Sequence, residues 1–290
     1  MKERVGTFCG PSKGNPVMRF FTANDFVNIH YADKGAGRPL VFIHGWSFCG
    51  AVWKRQVDCF SGRYRCVVPD LRGHGYSDAP SSRYDISDLA GDVSALLSFM
   101  ELREVVLVGW SMGVLVALSA HAVVKERLAG MVFISGTPRF TATDDFSCAL
   151  PPEECRGLAL RFRRNREKTL ADFRRMMFSP LESSQRCLEA MERNSLIGKP
   201  PDTIGAILSL DSLATADLRS VLPGITVPVL LVHGAMDCIC LPGASRHMAD
   251  VIPCSSLCVL DDAGHAPVIS RHAELNSVID NFLEGVYGTD

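Results

Sequence analysis

The sequence predicts an α/β fold: a mostly parallel central sheet with helices on both faces and one helical insertion. Three observations carry that prediction. Apolar runs of strand length alternate with amphipathic stretches, the pattern of parallel strands joined by crossover helices. One such run, Val105–Val108, leads into a glycine–serine–glycine turn and then a small, apolar, helix-like segment. The alternation fails once, from about Thr137 to Asp211, where no clear strand is present and Pro151, Pro152, Pro180, Pro200 and Pro201 punctuate the chain.

Taken in order, residues 1–17 read as a loose extension without the apolar stretch of a secretory signal. Residues 18–136 form the first part of the core, 137–211 a helical lid insertion, and 212–290 the second part of the core. Met18–Phe21 and Phe26–Tyr31 look like an opening hairpin. Buried strands are expected at Leu40–Ile43, Cys66–Pro69, Val105–Val108, Met131–Ser135, Val229–His233 and Leu257–Leu260. Ile86, Leu89, Ala90, Val93, Leu96, Leu97 and Met100 recur at three- and four-residue spacing, so one face of a helix is apolar. Glu274–Leu283 reads as the closing helix.

Composition narrows the function. Of the 290 residues, 47% are hydrophobic and 21% charged, enough for a sizeable core. A net charge of -2 supplies no global basic field for nucleic acid, and no apolar run approaches the roughly 18 residues of a membrane span. The 11 cysteines are odd in number and lack the spacing of a zinc site. They fit reduced thiols in a cytoplasmic protein. No metal and no cofactor is expected, and the protein is expected to be a monomer.

Four segments carry chemistry. In Gly109-Trp110-Ser111-Met112-Gly113 the chain turns from strand to helix. Such a turn exposes the serine as a nucleophile and aims a helix N-terminus at developing negative charge. His44-Gly45-Trp46 follows strand Leu40–Ile43. The amides of Trp46 and Met112 are therefore the expected oxyanion donors, and the Trp46 side chain could wall an acyl pocket. His44 reads as a loop brace. A serine hydroxyl needs an adjacent base, and His265 in Gly264-His265-Ala266-Pro267 supplies it. His30, His74, His121, His247 and His272 lie in strand-, turn- or helix-like stretches and are weaker candidates. The acid that orients the base should follow a strand between the two, and Asp237, after Val229–Val232, fits. Asp261 and Asp262 lie only four and three residues before His265 and read as loop caps. Asp70–Ser77, with its glycines, reads as a structural loop at the periphery of the site.

The segments HGW, DLRGHGYSD, GWSMG, HGAMD and GHAP, in this order from about Met18 onward, resemble the α/β-hydrolase superfamily. A narrower set resembles the pimeloyl-[acyl-carrier protein] methyl ester esterases of biotin synthesis: Gly45-Trp46, Trp110, Ser135–Phe140, Asp217-Leu218-Arg219 and Gly264–Ser270. That resemblance implies hydrolysis of a methyl ester on an acyl-carrier protein without metal or organic cofactor. It implies Ser111, Asp237 and His265 as catalytic residues, and Trp46, Ser111, Met112 and His265 as substrate contacts. Phe173, Arg174, Arg175, Met176 and Met177 align with a substrate-binding stretch of that family's lid. The chain departs from the family in Val114, where a glycine is common, in a longer N-terminus and in a more basic lid.

The lid has its own physics. From Arg156 to Arg175 there are eight basic residues against two acidic ones. That is net +6 in a chain of total charge -2. On one continuous helix Arg161, Arg164, Lys168 and Arg175 share a face, opposed by Leu158, Phe162, Thr169, Phe173 and Met176 or Met177. A basic outer face suits an acidic acyl-carrier protein, and an apolar inner face suits a fatty chain. The same triad would serve a general esterase, a lactonase or a carbon–carbon bond hydrolase. A non-catalytic binding protein is disfavoured by the complete set of Ser, Asp and His.

Overall fold

In the computed structural model, which describes residues 4–5 and 18–288, nine strands form one sheet. They are β1 (Arg4–Val5), β2 (Arg19–Thr22), β3 (Asn28–Lys34), β4 (Pro39–Ile43), β5 (Arg65–Pro69), β6 (Val105–Trp110), β7 (Leu128–Ile134), β8 (Val229–Gly234) and β9 (Ser255–Leu260). Their spatial order is β1-β2-β3-β5-β4-β6-β7-β8-β9. The contacts from β1 to β5 are antiparallel, and all the others are parallel. Every residue of β4, β6 and β8 is buried, as strands covered on both faces must be. Of the extension 1–17, Arg4 and Val5 pair with β2; its other residues lie outside the described residues.

Most expected strands sit inside the observed ones. The exceptions are Ser135, which leaves β7 with φ 45°, and the hairpin residues Met18, Phe26 and Val27, which precede β2 and β3, with Phe26 at φ 66° in the turn. β9 starts two residues early, at Ser255, because an edge strand tolerates serines that a buried one would not.

Helices α1 (Lys54–Phe60), α2 (Ile86–Phe99), α3 (Met112–Val124), α4 (Pro152–Arg164), α5 (Arg166–Met176), α6 (Ser184–Arg193), α7 (Thr203–Thr215), α8 (Pro242–Val251), α9 (Pro267–Ser270) and α10 (His272–Tyr287) complete the fold. α2 buries Ile86, Leu89, Ala90, Val93, Leu96 and Leu97 and starts at a reciprocal Asp85–Asp88 capping box. Between β7 and β8 the chain carries only helices and isolated bridges among the described residues. α7 runs past Asp211 to Thr215, beyond the boundary expected for the insertion.

One expectation is corrected here. Arg161, Arg164, Lys168 and Arg175 do not lie on a single helix. The chain breaks at Asn165 (φ -154°, ψ 89°), whose side chain accepts from the Lys168 amide and caps α5. An asparagine offers the backbone this alternative to continuing a helix. The four basic residues remain exposed, two on α4 and two on α5.

Candidate active site

The parallel strands deliver their C-terminal ends to one edge, and the candidate residues collect there. Ser111 follows β6 directly at φ 56° and ψ -119°. That conformation is costly for a residue with a side chain and is kept only where surrounding structure enforces it. The two glycines of the turn make the enforcement possible. A Cβ on Gly109 would strike the Gly113 carbonyl, and one on Gly113 would strike the Ile43 carbonyl of β4. The departure at Val114 is accommodated in the same way, because Gly136 leaves the space that the Val114 side chain fills.

The Ser111 hydroxyl lies 2.9 Å from His265 Nε2, and His265 Nδ1 donates to Asp237 Oδ2 at 2.8 Å. All three residues are buried. Asp237 Oδ1 accepts from the amides of Ile239 (2.8 Å) and Cys240 (3.0 Å). Burial pushes the Asp237 carboxyl up, but His265 and His233 outweigh it and hold it down at about 2. The acid is therefore a carboxylate, able to fix the His265 tautomer and to balance an imidazolium. Asp261 and Asp262 are exposed. Asp262 contributes only its carbonyl, which accepts from Ser179 Oγ at 2.6 Å.

The expected oxyanion donors flank the serine. Met112 is the first residue of α3, so its amide has no partner within the helix. The loop carrying Trp46 packs directly on the nucleophile: a Cβ on Gly45 would lie 3.1 Å from Ser111 Cβ. Neither the Trp46 nor the Met112 amide has an acceptor among the described residues. His44 is a brace, as expected. Its Nδ1 donates to the Gly45 carbonyl, its Nε2 accepts from the Leu71 amide, and burial lowers its pKa, keeping it neutral. The loop after β5 is structural too. Asp70 accepts from the Gly50 and Tyr76 amides and pairs with His30, and Arg72 is buried between Asp25 and Asp92.

The helical segment closes the site. The Trp46 ring stands edge-on to Phe162 (5.1 Å for Phe173, 5.6 Å for Phe162, between centroids), and its Nε1 donates to the Ala206 carbonyl of α7 at 2.8 Å. Of the lid stretch aligned with substrate contacts, Phe173 and Met177 are buried. Arg174 is partly buried with its Nε unpartnered among the described residues, and desolvation lowers its pKa. Arg175 and Met176 are placed differently. Both are exposed, and Arg175 pairs with Asp172 at 2.8 Å. Five consecutive helical residues fan around the axis and cannot all face one cavity.

The sequence reading gave no role to His233, Cys240 or Glu182, and singled out Trp110 only as a mark of resemblance. Trp110 Nε1 donates to the His265 carbonyl at 2.9 Å, tying the base's loop to the nucleophile's strand. His233, fully buried, lies 3.1 Å from Asp237 Oδ2. Cys240 is buried on the Asp237 loop, with its thiol pKa pushed well up by burial. Glu182 Oε2 accepts from the Gly264 amide at 2.9 Å. A polar residue ending the apolar run Val229–Val232 was the available signal for His233. Nothing local marks Glu182, which meets its partner across 82 residues. No cluster of potential metal ligands exists among the described residues, and no described helix is long and apolar enough to cross a membrane.

A profile of the alpha/beta hydrolase fold matches residues 38–271. A pimeloyl-[acyl-carrier protein] methyl ester esterase of Nitrosomonas europaea is 30% identical over 253 residues, covering 87% of this chain and 98% of that protein. Among solved structures, an esterase from Exiguobacterium antarcticum is 27% identical with a TM-score of 0.86, covering 91% of this chain and 98% of that one. An enol-lactonase from Burkholderia xenovorans is 25% identical with a TM-score of 0.81, covering 91% and 99%.

Proposed function

The chain belongs to the alpha/beta hydrolase fold family, and on that premise we propose that it is a serine carboxylesterase acting on an acyl methyl ester. Its specific substrate on this reading is a pimeloyl-[acyl-carrier protein] methyl ester, as in biotin synthesis. The observation that carries the chemistry is the continuous chain of hydrogen bonds from Ser111 through His265 to Asp237, at 2.9 and 2.8 Å. The names of relatives at about this identity support the substrate.

Ser111 Oγ attacks the ester carbonyl while His265 Nε2 takes its proton. The oxyanion receives hydrogen bonds from the Trp46 and Met112 amides, neither of which is committed to an acceptor among the described residues. His265 returns the proton to the departing methoxide, and methanol leaves. A water molecule, deprotonated by the same imidazole, then hydrolyses the acyl-enzyme and regenerates Ser111. Residues 137–211 act as the lid. Phe162, Phe173 and Met177 offer the acyl chain an apolar wall beside Trp46, and Arg161, Arg164, Lys168 and Arg175 face an acidic carrier protein. Of these four, only Arg175 has an ion-pair partner among the described residues.

The test is a turnover panel: the carrier-bound pimeloyl methyl ester, free methyl esters of graded chain length, and an enol lactone. The carrier-bound ester should give the highest kcat/KM. A preference for the lactone would favour the second reading, a lactonase, which the likeness to the Burkholderia enzyme supports. A preference for short free esters would make the protein a general esterase.

A further inference from the structure

The candidate acid has two imidazoles on one oxygen. Asp237 Oδ2 lies 2.8 Å from His265 Nδ1 and 3.1 Å from His233 Nε2. His233 ends the buried strand β8, is wholly inaccessible to solvent, and makes two further contacts. Its Nε2 is 2.8 Å from the Cys240 carbonyl, and its Nδ1 is 2.6 Å from Ser245 Oγ on α8. A carbonyl can only accept, so Nε2 carries a proton and donates to Cys240 O, and the same protonated nitrogen lies 3.1 Å from Asp237 Oδ2. Nδ1 is then the acceptor, and the Ser245 hydroxyl donates to it. The Cys240 carbonyl therefore fixes the tautomer of His233, and the Ser245 hydroxyl satisfies the remaining nitrogen.

We infer that His233 is a positioning residue for catalysis: it extends the catalytic chain to Ser111–His265–Asp237–His233–Ser245 and tempers the negative charge that Asp237 presents to His265. The inference rests on the reading of Asp237 as the catalytic acid. Its physical content is a partition. Oδ1 is saturated by the Ile239 and Cys240 amides, so Oδ2 alone faces the base. A donor on the far side of Oδ2 draws off part of its charge and fixes the carboxylate plane. The ionisable groups around the carboxylate are His265, His233, and the thiols of Cys238 and Cys240, whose pKa values burial raises so that both stay neutral. No other described side chain lies on Oδ2 beside His265, so the charge felt by the base depends on His233.

Removal of the donor should leave Oδ2 more negative and the His265 imidazolium better stabilised. The base would then stay protonated to higher pH, and the acid limb of the pH–kcat/KM profile should move upward. The experiment uses His233→Gln, His233→Leu and Ser245→Ala, assayed on a short p-nitrophenyl ester. A fluorophosphonate titration counts active sites, so that misfolded protein is not scored. By freeing the carboxylate plane that His233 holds, His233→Leu should lower kcat per active site by about ten- to a hundredfold in spite of the larger charge on Oδ2. KM should stay near the wild-type value, and the acid limb should rise by roughly half to one pH unit. Glutamine keeps an N–H donor and should restore much of kcat. Ser245→Ala leaves His233 and its tautomer in place but removes the donor to Nδ1, which weakens the polarisation of Nε2–H, and should show a smaller shift of the same sign. A purely structural role would reduce the titratable fraction while leaving the acid limb of the remaining enzyme in place, and that result would overturn the inference. Asp237→Asn assayed beside them separates the two readings. If it loses activity and the His233 variants keep the wild-type limb, only the role of His233 fails. If Asp237→Asn retains activity, the acid assignment itself fails.

Discussion

At the scale of single residues, the candidate site couples a strained serine to a carboxylate that is held ionised. Ser111 sits at positive φ because a β-strand, a helix start and the Trp46 loop crowd its backbone. The strain points Oγ at His265. Ser111→Ala should preserve the fold and reduce hydrolysis of a p-nitrophenyl ester by a factor on the order of a million; retention of more than a few per cent of wild-type rate would remove the nucleophile assignment. Asp237→Asn should cost roughly four orders of magnitude in turnover by leaving the wrong imidazole tautomer. The same change at exposed Asp261 or Asp262 should cost far less, and a reversed ranking would hand the role to the later pair. The pH dependence has a definite sign. The folded Asp237 carboxyl is depressed from its usual 3.8 to about 2. Its stabilising contribution is therefore complete above pH 3.8 and is lost as pH falls toward 2. Acid unfolding followed by circular dichroism should show less of this loss in the asparagine variant.

At the scale of elements, the helical segment is clamped to the loop that carries the base. Between α5 and α6, the Met177 carbonyl accepts from the Ala266 amide at 3.2 Å, and Ser179 Oγ donates to the Asp262 carbonyl at 2.6 Å. Glu182 Oε2 accepts from both the Ser179 and Gly264 amides, at 2.8 and 2.9 Å. Cys238, next to the acid, donates to the Met176 carbonyl at 3.5 Å. Any movement of this segment is thus felt at His265. Glu182→Ala should lower kcat on a small ester by roughly tenfold, the scale of one lost charge-assisted bond. Glu182→Gln keeps an acceptor oxygen and should recover most of it. Equal kcat in the alanine variant and the wild type would show that the base holds its place without the clamp. These contacts mark the limit of what the sequence made legible. The strands, the serine turn, the acid and the base were readable because each lies in a local pattern of apolar run, glycine and polar residue. Glu182 and Trp110 act through partners 82 and 155 residues away, and no local pattern encodes such a meeting. The break at Asn165 was readable in principle from the asparagine's capping chemistry. The charge periodicity that runs across it favoured one continuous helix instead.

At the scale of the whole molecule, the charge is divided between two parts. The stretch Arg156–Arg175 carries net +6 in a chain of net charge -2, so the rest is acidic. Several of these charges are already answered: Arg156 by Glu153, Arg163 by Asp211 and Arg175 by Asp172. Exposed pairs of this kind are worth little in stability, and with Arg166 and Arg174 half-buried they leave Arg161, Arg164 and Lys168 as the exposed, unpaired cations of the stretch among the described residues. The proposed reacting groups stand elsewhere, beyond the ends of β4, β6, β8 and β9, and Phe162 and Phe173 meet that region at Trp46. Separate locations make docking and chemistry separable by mutation. Reversing Arg161 and Lys168 to Glu should raise KM for a carrier-bound ester and leave kcat/KM for a small free ester unchanged. Opposite charge chiefly accelerates encounter, and at about 0.15 M salt its reach falls to roughly 8 Å. Added salt should therefore slow the wild type on the carrier-bound substrate only, and should have little further effect on the reversed variant. Equal losses on both substrates would mean that the change had propagated through α4 and α5 to Trp46. No loss on either would make the cluster an ordinary solvated surface and leave the carrier-bound substrate supported by family likeness alone.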